Sequence, residues 1–170
     1  AWEAVLTPVE HDGLPRVTVL RDYHAENIML LDDGQQGIID FQDALVGHPA
    51  YDLVSLLQDA RRDVTRGAES AMMTRFIAAT GADDHGFRAA YAVLGAQRAL
   101  RIMGIFARLC LAGGKPGYLP LLPRVWGQLQ RNLGHPILQP LAEMCRDLLP
   151  PPDPDILNRI KAQCGTTPHR

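Results

Sequence analysis

Lysine is almost missing from this chain. Of its 170 residues only Lys115 and Lys161 are lysines, and both lie in the second half. Cysteine is scarce too: Cys110, Cys145 and Cys164 stand far apart without a CxxC pair. That spacing argues against a disulfide framework or thiolate metal site, and for reduced cysteines packed in or beside helices in a reducing, cytoplasmic setting. No apolar run reaches the roughly 18 residues that would predict a membrane span. Ala1-Trp2-Glu3 is no signal-peptide start, and the missing initiator Met leads us to expect a chain that begins inside a longer protein. There is no dense basic stripe with interleaved aromatics, so nucleic acid is not an expected partner. Internal repeats and low-complexity segments are absent as well. The one glycine cluster around a lysine, Gly113-Gly114-Lys115-Pro116-Gly117, has no Ser or Thr after the lysine and no strand before it. Pro116 also removes a backbone N–H that a phosphate cradle would use, so the segment reads as an interhelical turn.

What is present is ordinary soluble material, 46% hydrophobic and 21% charged, enough for one domain with a substantial core. The net charge of −2 hides an asymmetry. Residues 1–83 carry 14 acids against 6 arginines, a balance of −8, and residues 84–170 carry 5 acids against 11 Lys and Arg, a balance of +6.

Short β-branched runs come first: Val17 to Leu20, Asn27 to Leu31 and Gly37 to Asp40, the last two joined by the hairpin signal Asp32-Asp33-Gly34. The first 41 residues therefore read as short strands and polar loops. Helical periodicity follows over Ala50–Arg62, Ala68–Thr80, about Asp84–Ala112, Leu121–Leu133 and Pro140–Leu149. A last helix is announced by Asp153-Pro154, an N-cap with proline at the first helical position, and is closed by Gly165. The expected fold class is α+β, mainly helical.

The chemistry concentrates in Arg21-Asp22-Tyr23-His24-Ala25-Glu26-Asn27 and in Ile39-Asp40-Phe41. Phosphoryl transfer needs a carboxylate to orient the attacking hydroxyl and hard oxygen ligands to hold Mg²⁺ against the phosphates. A loop between two strands can turn Asp22 and Asn27 toward one point, and Asp40 ends the next strand. Two carboxylates and an amide converging there make an oxygen site of the kind Mg²⁺ takes. His24 invites a zinc or general-base reading. His11, His24 and His48 are scattered, however, with no i, i+4 pair, so a hydrogen-bonding loop histidine is expected.

Asp22, His24 and Asn27 followed by Asp40-Phe41 resemble the catalytic loop and metal-binding Asp-Phe element of protein kinases and the aminoglycoside phosphotransferase family. Asp43 and Gly47-His48-Pro49-Ala50-Tyr51-Asp52-Leu53 resemble the small-molecule branch of that family. The likeness is specific over about residues 17–57 and general beyond. It implies that residues 1–170 are the C-terminal lobe of a protein-kinase-like fold, with short strands carrying the catalytic and metal loops. It further implies Asp22 as the catalytic carboxylate, Asn27 and Asp40 as the ligands of Mg²⁺ on ATP, and Asp52 as a structural brace of the catalytic-loop backbone. Leu20 stands where the family has a scaffolding histidine. The segment before Val17 is too short for the nucleotide-clasping lobe, so that N-terminal lobe is expected to be absent here and the chain alone inert.

The acceptor is expected to be a small molecule, a sugar. Polycationic aminoglycosides call for acidic surface near the helices, whereas the helical half is basic. Helical spacing puts Arg98 within the apolar stripe of the long helix, with Arg101 and Arg108 along its flank. A guanidinium placed so needs several carbonyls or an anion, the anion being either a protein carboxylate such as Asp52 or Asp59, or a carboxylate or phosphate of the substrate. The segments Ala96–Leu109, Gly114–Leu119 and Leu122–Val125 are similar to a branch of bacterial anomeric kinases for N-acetylmuramate and N-acetylglucosamine. On this reading His24, Asp43 and Arg98 are candidates for contact with the acceptor. Two alternatives stand: a kinase of aminoglycosides or other small alcohols, and a kinase-like binding module that has lost catalysis. A metal-dependent hydrolase lacks the histidines it would need.

Overall fold

The structure is a computed structural model and describes residues 2–168. It is mostly helical with four three-residue strands: α1 (Trp2–Glu10), β1 (Val17–Val19), β2 (Ile28–Leu30), β3 (Gln36–Ile38), β4 (Leu45–Gly47), α2 (Ala50–Leu57), α3 (Arg66–Thr80), α4 (Asp84–Leu111), α5 (Leu122–Leu133), α6 (Gln139–Leu148) and α7 (Pro154–Ala162). The α+β, mainly helical class agrees with the sequence expectation. The chain divides into two compact units, residues 2–94 and 95–168, with the boundary inside α4.

In the first unit, β2 and β3 pair antiparallel with Ile28 opposite Ile38, as the Asp-Asp-Gly turn predicts. Gly34 takes φ 80°, a conformation that costs glycine nothing, and donates its N–H to Leu31 O. Two elements were not foreseen. The first is α1, which contains Pro8 and buries only Val5 and Val9. That i, i+4 pair is too short a signal to separate helix from loop by period alone. The second is β4, which pairs antiparallel with β1 across some 25 residues of intervening chain, Val17 opposite Gly47. No local turn announces a pairing of that range.

Helix α2 also ends sooner than its apolar spacing indicates, at Leu57 rather than Arg62. The next residues, Gln58, Asp59 and Ala60, are buried but not helical, and the Arg61 N–H goes to Asp59 Oδ1 at 2.9 Å. That local side-chain bond competes with a further helical turn. Ala50, Val54 and Leu57 of α2 pack with Ile77 of α3 and Phe87 and Tyr91 of α4, with Phe76 stacked on Phe87 at 5.3 Å between centroids. Val54, Leu57, Ile77 and Phe87 each contribute roughly 1.5–3 kcal/mol when fully buried. This core holds α2 in place, and α2 in turn presents the residues that hold the loop after β1.

In the second unit, Val125, Leu129, Leu138 and Leu141 are fully buried, so α5 and α6 share one core. Asp153 Oδ1 caps α7 by accepting the Ile156 N–H at 2.8 Å, and Gly165 follows that helix at φ 74°. The Gly113–Gly117 segment is the turn its sequence predicts. Gly114 takes φ 63°, and Lys115 N–H returns to Leu109 O, closing α4. All three cysteines are free thiols, and burial helps push the Cys110 thiol up to about 11. Among the described residues no helix is long and apolar enough to cross a membrane.

Candidate active site

The site is built by the loop between β1 and β2 and by the segment that follows β3. Val19, 2% exposed, anchors the end of β1, and the chain then turns sharply. Arg21 adopts φ 69°, a left-handed conformation that costs an ordinary L-residue about 1–2 kcal/mol. It is held there from both ends of its own backbone. Asp52 of α2 accepts the Leu20 N–H at 2.7 Å through Oδ2 and the Arg21 N–H at 3.0 Å through Oδ1. Ser55, one turn further along α2, donates its hydroxyl to Arg21 O at 3.0 Å. These contacts use the backbone of Leu20 and not its side chain, so leucine there leaves them intact.

Past the turn, Asp22 O accepts His24 N–H at 3.0 Å and His24 O accepts Asn27 N–H at 2.9 Å, winding 25–27 into a single 3₁₀ turn. Asn27 is buried, and its side-chain amide donates to Asp22 O at 2.9 Å and to Asp40 Oδ2 at 3.4 Å. The backbone repeats the link, because Ile39 N–H donates to Asn27 O at 3.1 Å. Asp40 is the second non-glycine residue at positive φ, 59°, and Gln42 Nε2 donates to its other carboxylate oxygen at 2.7 Å. Both carboxylate side chains, Asp22 and Asp40, are exposed to solvent, while the amide between them is not.

Asn27 therefore links the backbone of Asp22 to the carboxylate of Asp40. Asp43 lies at the rim, where its backbone carbonyl accepts Arg21 Nη1 at 3.4 Å and its side chain is exposed. His24 takes part through its backbone, and its buried Nδ1 meets no hydrogen-bond partner, unlike the hydrogen-bonding side chain expected there. Arg98 is half-buried on the part of α4 that belongs to the second unit. Ser55 and Gln42 were not singled out from sequence. Ser55 had one available signal, a hydroxyl three residues after Asp52 in the otherwise apolar run Leu53-Val54-Ser55-Leu56-Leu57.

Oxygen donors such as the Asp40 carboxylate and an asparagine amide oxygen are of the hard kind that Mg²⁺ takes. Among the described residues no three His, Cys, Asp or Glu side chains cluster as a protein-only metal cage. Asp40 offers a carboxylate at an open edge, and the buried Asn27 stands behind it with its amide nitrogen toward that carboxylate. Mg²⁺ commonly takes one or two protein oxygens and completes its octahedron with phosphates and water.

The comparison with known proteins decides the family. Residues 1–94 match the phosphotransferase enzyme family, and they include Asp22, Asn27, Asp40 and Asp52. The chain belongs to that family. It is 44% identical over 147 residues to an N-acetylmuramate/N-acetylglucosamine kinase of Caulobacter vibrioides, covering 82% of this chain and 40% of that protein. It is 37% identical over 157 residues to a kinase of the same name from Pseudomonas aeruginosa, covering 86% of this chain and 46% of that protein. A third such kinase, from Neisseria meningitidis serogroup B, is 40% identical over 126 residues. The chain thus spans less than half the length of these curated relatives.

Proposed function

We propose that this chain is the C-terminal, acceptor- and metal-binding lobe of an ATP-dependent phosphotransferase that phosphorylates a hydroxyl of an N-acetylated amino sugar in the cytoplasm. The observation that carries the reading is the Asn27 side chain, which ties the backbone of Asp22 to the carboxylate of Asp40. One residue from each of two loops is thereby fixed against the other at a solvent-open edge, as an in-line transfer between a hydroxyl and a bound nucleotide requires.

The roles divide by chemistry. Asp22 orients the acceptor hydroxyl and takes its proton late, when bonding to phosphorus has acidified it. Asn27 and Asp40 would hold Mg²⁺, whose charge neutralises the phosphate oxygens when the nucleotide is bound. Asp52 and Ser55 keep Arg21 in its left-handed turn so that Asp22 is aimed before substrate arrives. Gln42 restrains one oxygen of Asp40. In the first unit His24 and Asp43 are the candidates for contact with the acceptor, and Arg98 remains a candidate on its sequence position alone.

The amino sugar is supported by the names of the relatives and by the basic balance of residues 84–170, which suits a polycationic acceptor poorly. A nucleotide-clasping lobe outside these 170 residues is part of this proposal, since the lysines of this chain lie far downstream of the site. The test is a substrate screen with Mg·ATP. The chain, extended to the length of its relatives, should phosphorylate N-acetylmuramate or N-acetylglucosamine. The 170-residue chain alone should show next to no turnover. Turnover of aminoglycosides alone would overturn the acceptor assignment, and full activity of the isolated chain would overturn the lobe assignment.

A further inference from the structure

A chain of polar contacts joins the end of α1 to the start of α2. It begins at the end of α1, where Arg16 donates through Nη2 to the terminal carbonyls of Val9 and Glu10. The Nη1 of the same guanidinium reaches Asp12 Oδ1 at 3.3 Å, which also accepts the Leu14 N–H at 3.1 Å. The other oxygen of Asp12 lies 2.6 Å from His48 Nε2. His48 is 7% exposed, and its second ring nitrogen, Nδ1, faces the backbone N–H of Ala50 at 3.0 Å. Ala50 is the first residue of α2, the helix that presents Asp52 and Ser55 to Arg21.

These contacts fix the state of the ring. An amide N–H can only donate, so Nδ1 must be an unprotonated acceptor. A carboxylate can only accept, so Nε2 must carry the proton. His48 is therefore neutral, in the Nε2–H form, and both of its polar atoms are used. That rules out acid–base chemistry for this histidine and leaves it a mechanical role. Protonation would place an N–H against the N–H of Ala50 and break the contact to α2. Among the described residues the charged groups acting on the ring are Asp12 and Arg16, and the phenyl ring of Phe87 of α4 stands 6.1 Å away between centroids.

We propose that His48 is a positioning residue: its neutral ring fastens the start of α2 to Asp12, and so sets where Asp52 meets the amides of Leu20 and Arg21. The burial of the imidazole, which pushes its pKa below the ordinary value in spite of the neighbouring Asp12, is in keeping with that state. That the loop so positioned is catalytic rests on the phosphotransferase reading above, whereas the tether itself does not.

The experiment uses the 170-residue chain without nucleotide or turnover, so its failure is separable from failure of the functional reading. Nitrogen NMR of the His48 ring should show Nδ1 unprotonated and Nε2 protonated, persisting below the ordinary histidine pKa of about 6.5. As His48 finally titrates, hydrogen-exchange protection of the Leu20 and Arg21 amides should fall about tenfold, while amides inside α3 keep theirs. His48→Asn retains an acceptor for Ala50 but cannot reach Asp12, and His48→Gln does the reverse. Each should lower protection at Leu20 and Arg21. A ring in the Nδ1–H form would overturn the proposal. So would protection at those two amides that ignores both pH and both substitutions. If the variants do not fold, the pH series on the unaltered chain decides alone.

Discussion

Asp52 accepts the backbone N–H of Arg21 at 3.0 Å, and Arg21 stands at φ 69°. The unfavourable backbone and the bond that compensates it occupy the same residue, 31 positions from the carboxylate in sequence. The second oxygen of Asp52 takes the Leu20 N–H. A side chain that satisfies two consecutive amides determines the direction in which the next residue, Asp22, leaves the turn.

Removing that carboxylate should be costly even without substrate. Asp52→Ala leaves two part-buried donors unpaired and is expected to destabilise the first unit by about 2 kcal/mol or more. Asp52→Asn, which keeps one acceptor, should cost about half as much. Urea unfolding followed to its midpoint measures both. Equal midpoints for Asp52→Ala and the unaltered chain would remove the brace from the account.

The turn itself can be probed at Arg21. Glycine accepts positive φ freely, while a β-branched residue does not. Arg21→Gly should stay within about 1 kcal/mol of the original stability, since relief of the left-handed backbone offsets added chain entropy. Arg21→Val should lose about 2 kcal/mol. If valine were tolerated as well as glycine, the conformation at this position would not be under strain.

Asp22 and Asp40 should separate in their effects in the full-length enzyme. Asp22→Ala is expected to reduce kcat by about 10³-fold or more, with Mg·ATP affinity nearly unchanged. Asp40→Ala should weaken Mg·ATP binding as well as turnover. Calorimetric titration of each variant with Mg·ATP, set beside its steady-state rates, tells them apart. Retention of most activity by Asp22→Ala would sink the role given to it.

Acid should weaken the first unit in two stages. Burial lowers the His48 pKa below its ordinary 6.5. The unfolded chain therefore binds the proton first, and the contribution of His48, complete above about 6.5, is lost as pH falls toward its folded value. Asp12 is depressed below 3.8: burial acts the other way, but the hydrogen bonds from His48 and Leu14 together with the neighbouring charges outweigh it. Its contribution is present above 3.8 and lost at lower pH still. Urea midpoints between about pH 7.5 and 5 should decline, and His48→Gln should flatten that decline.

Two glycines of α4 should respond in opposite directions to alanine. A Cβ at Gly104 meets nothing within 4 Å, so Gly104→Ala should gain up to about 1 kcal/mol from helix propensity. A Cβ at Gly95 would lie 2.5 Å from Asn132 Nδ2, and Asn132 is only 5% exposed. The same propensity gain is there outweighed by overpacking of about 1–3 kcal/mol. Thermal unfolding of the two variants checks the sign of each.

Much of the site was legible because its chemistry is local. Asp22 and Asn27 share one loop, Asp32-Asp33-Gly34 fixes the hairpin between β2 and β3, and that hairpin returns Asp40 to Asn27. Gly81 and the Asp153-Pro154 cap likewise end or begin helices through the conformations those residues adopt. What stayed hidden depends on contacts across long stretches of chain. Nothing near Val17 announces β4, and nothing near Asp12 announces His48, 36 residues on. Gln42 escaped notice for a different reason: a glutamine near a turn has many possible partners, and its bond to Asp40 depends on the φ of 59° that Asp40 adopts.

The sequence by itself determined which groups this protein can bring to a reaction, because side-chain chemistry and short-range turns are written residue by residue. Only the tertiary structure decided how those groups are aimed. The positive φ of Arg21 and the tautomer of His48 are set by partners 31 and 36 residues away, and such partners are selected by packing of the whole unit rather than by any local preference.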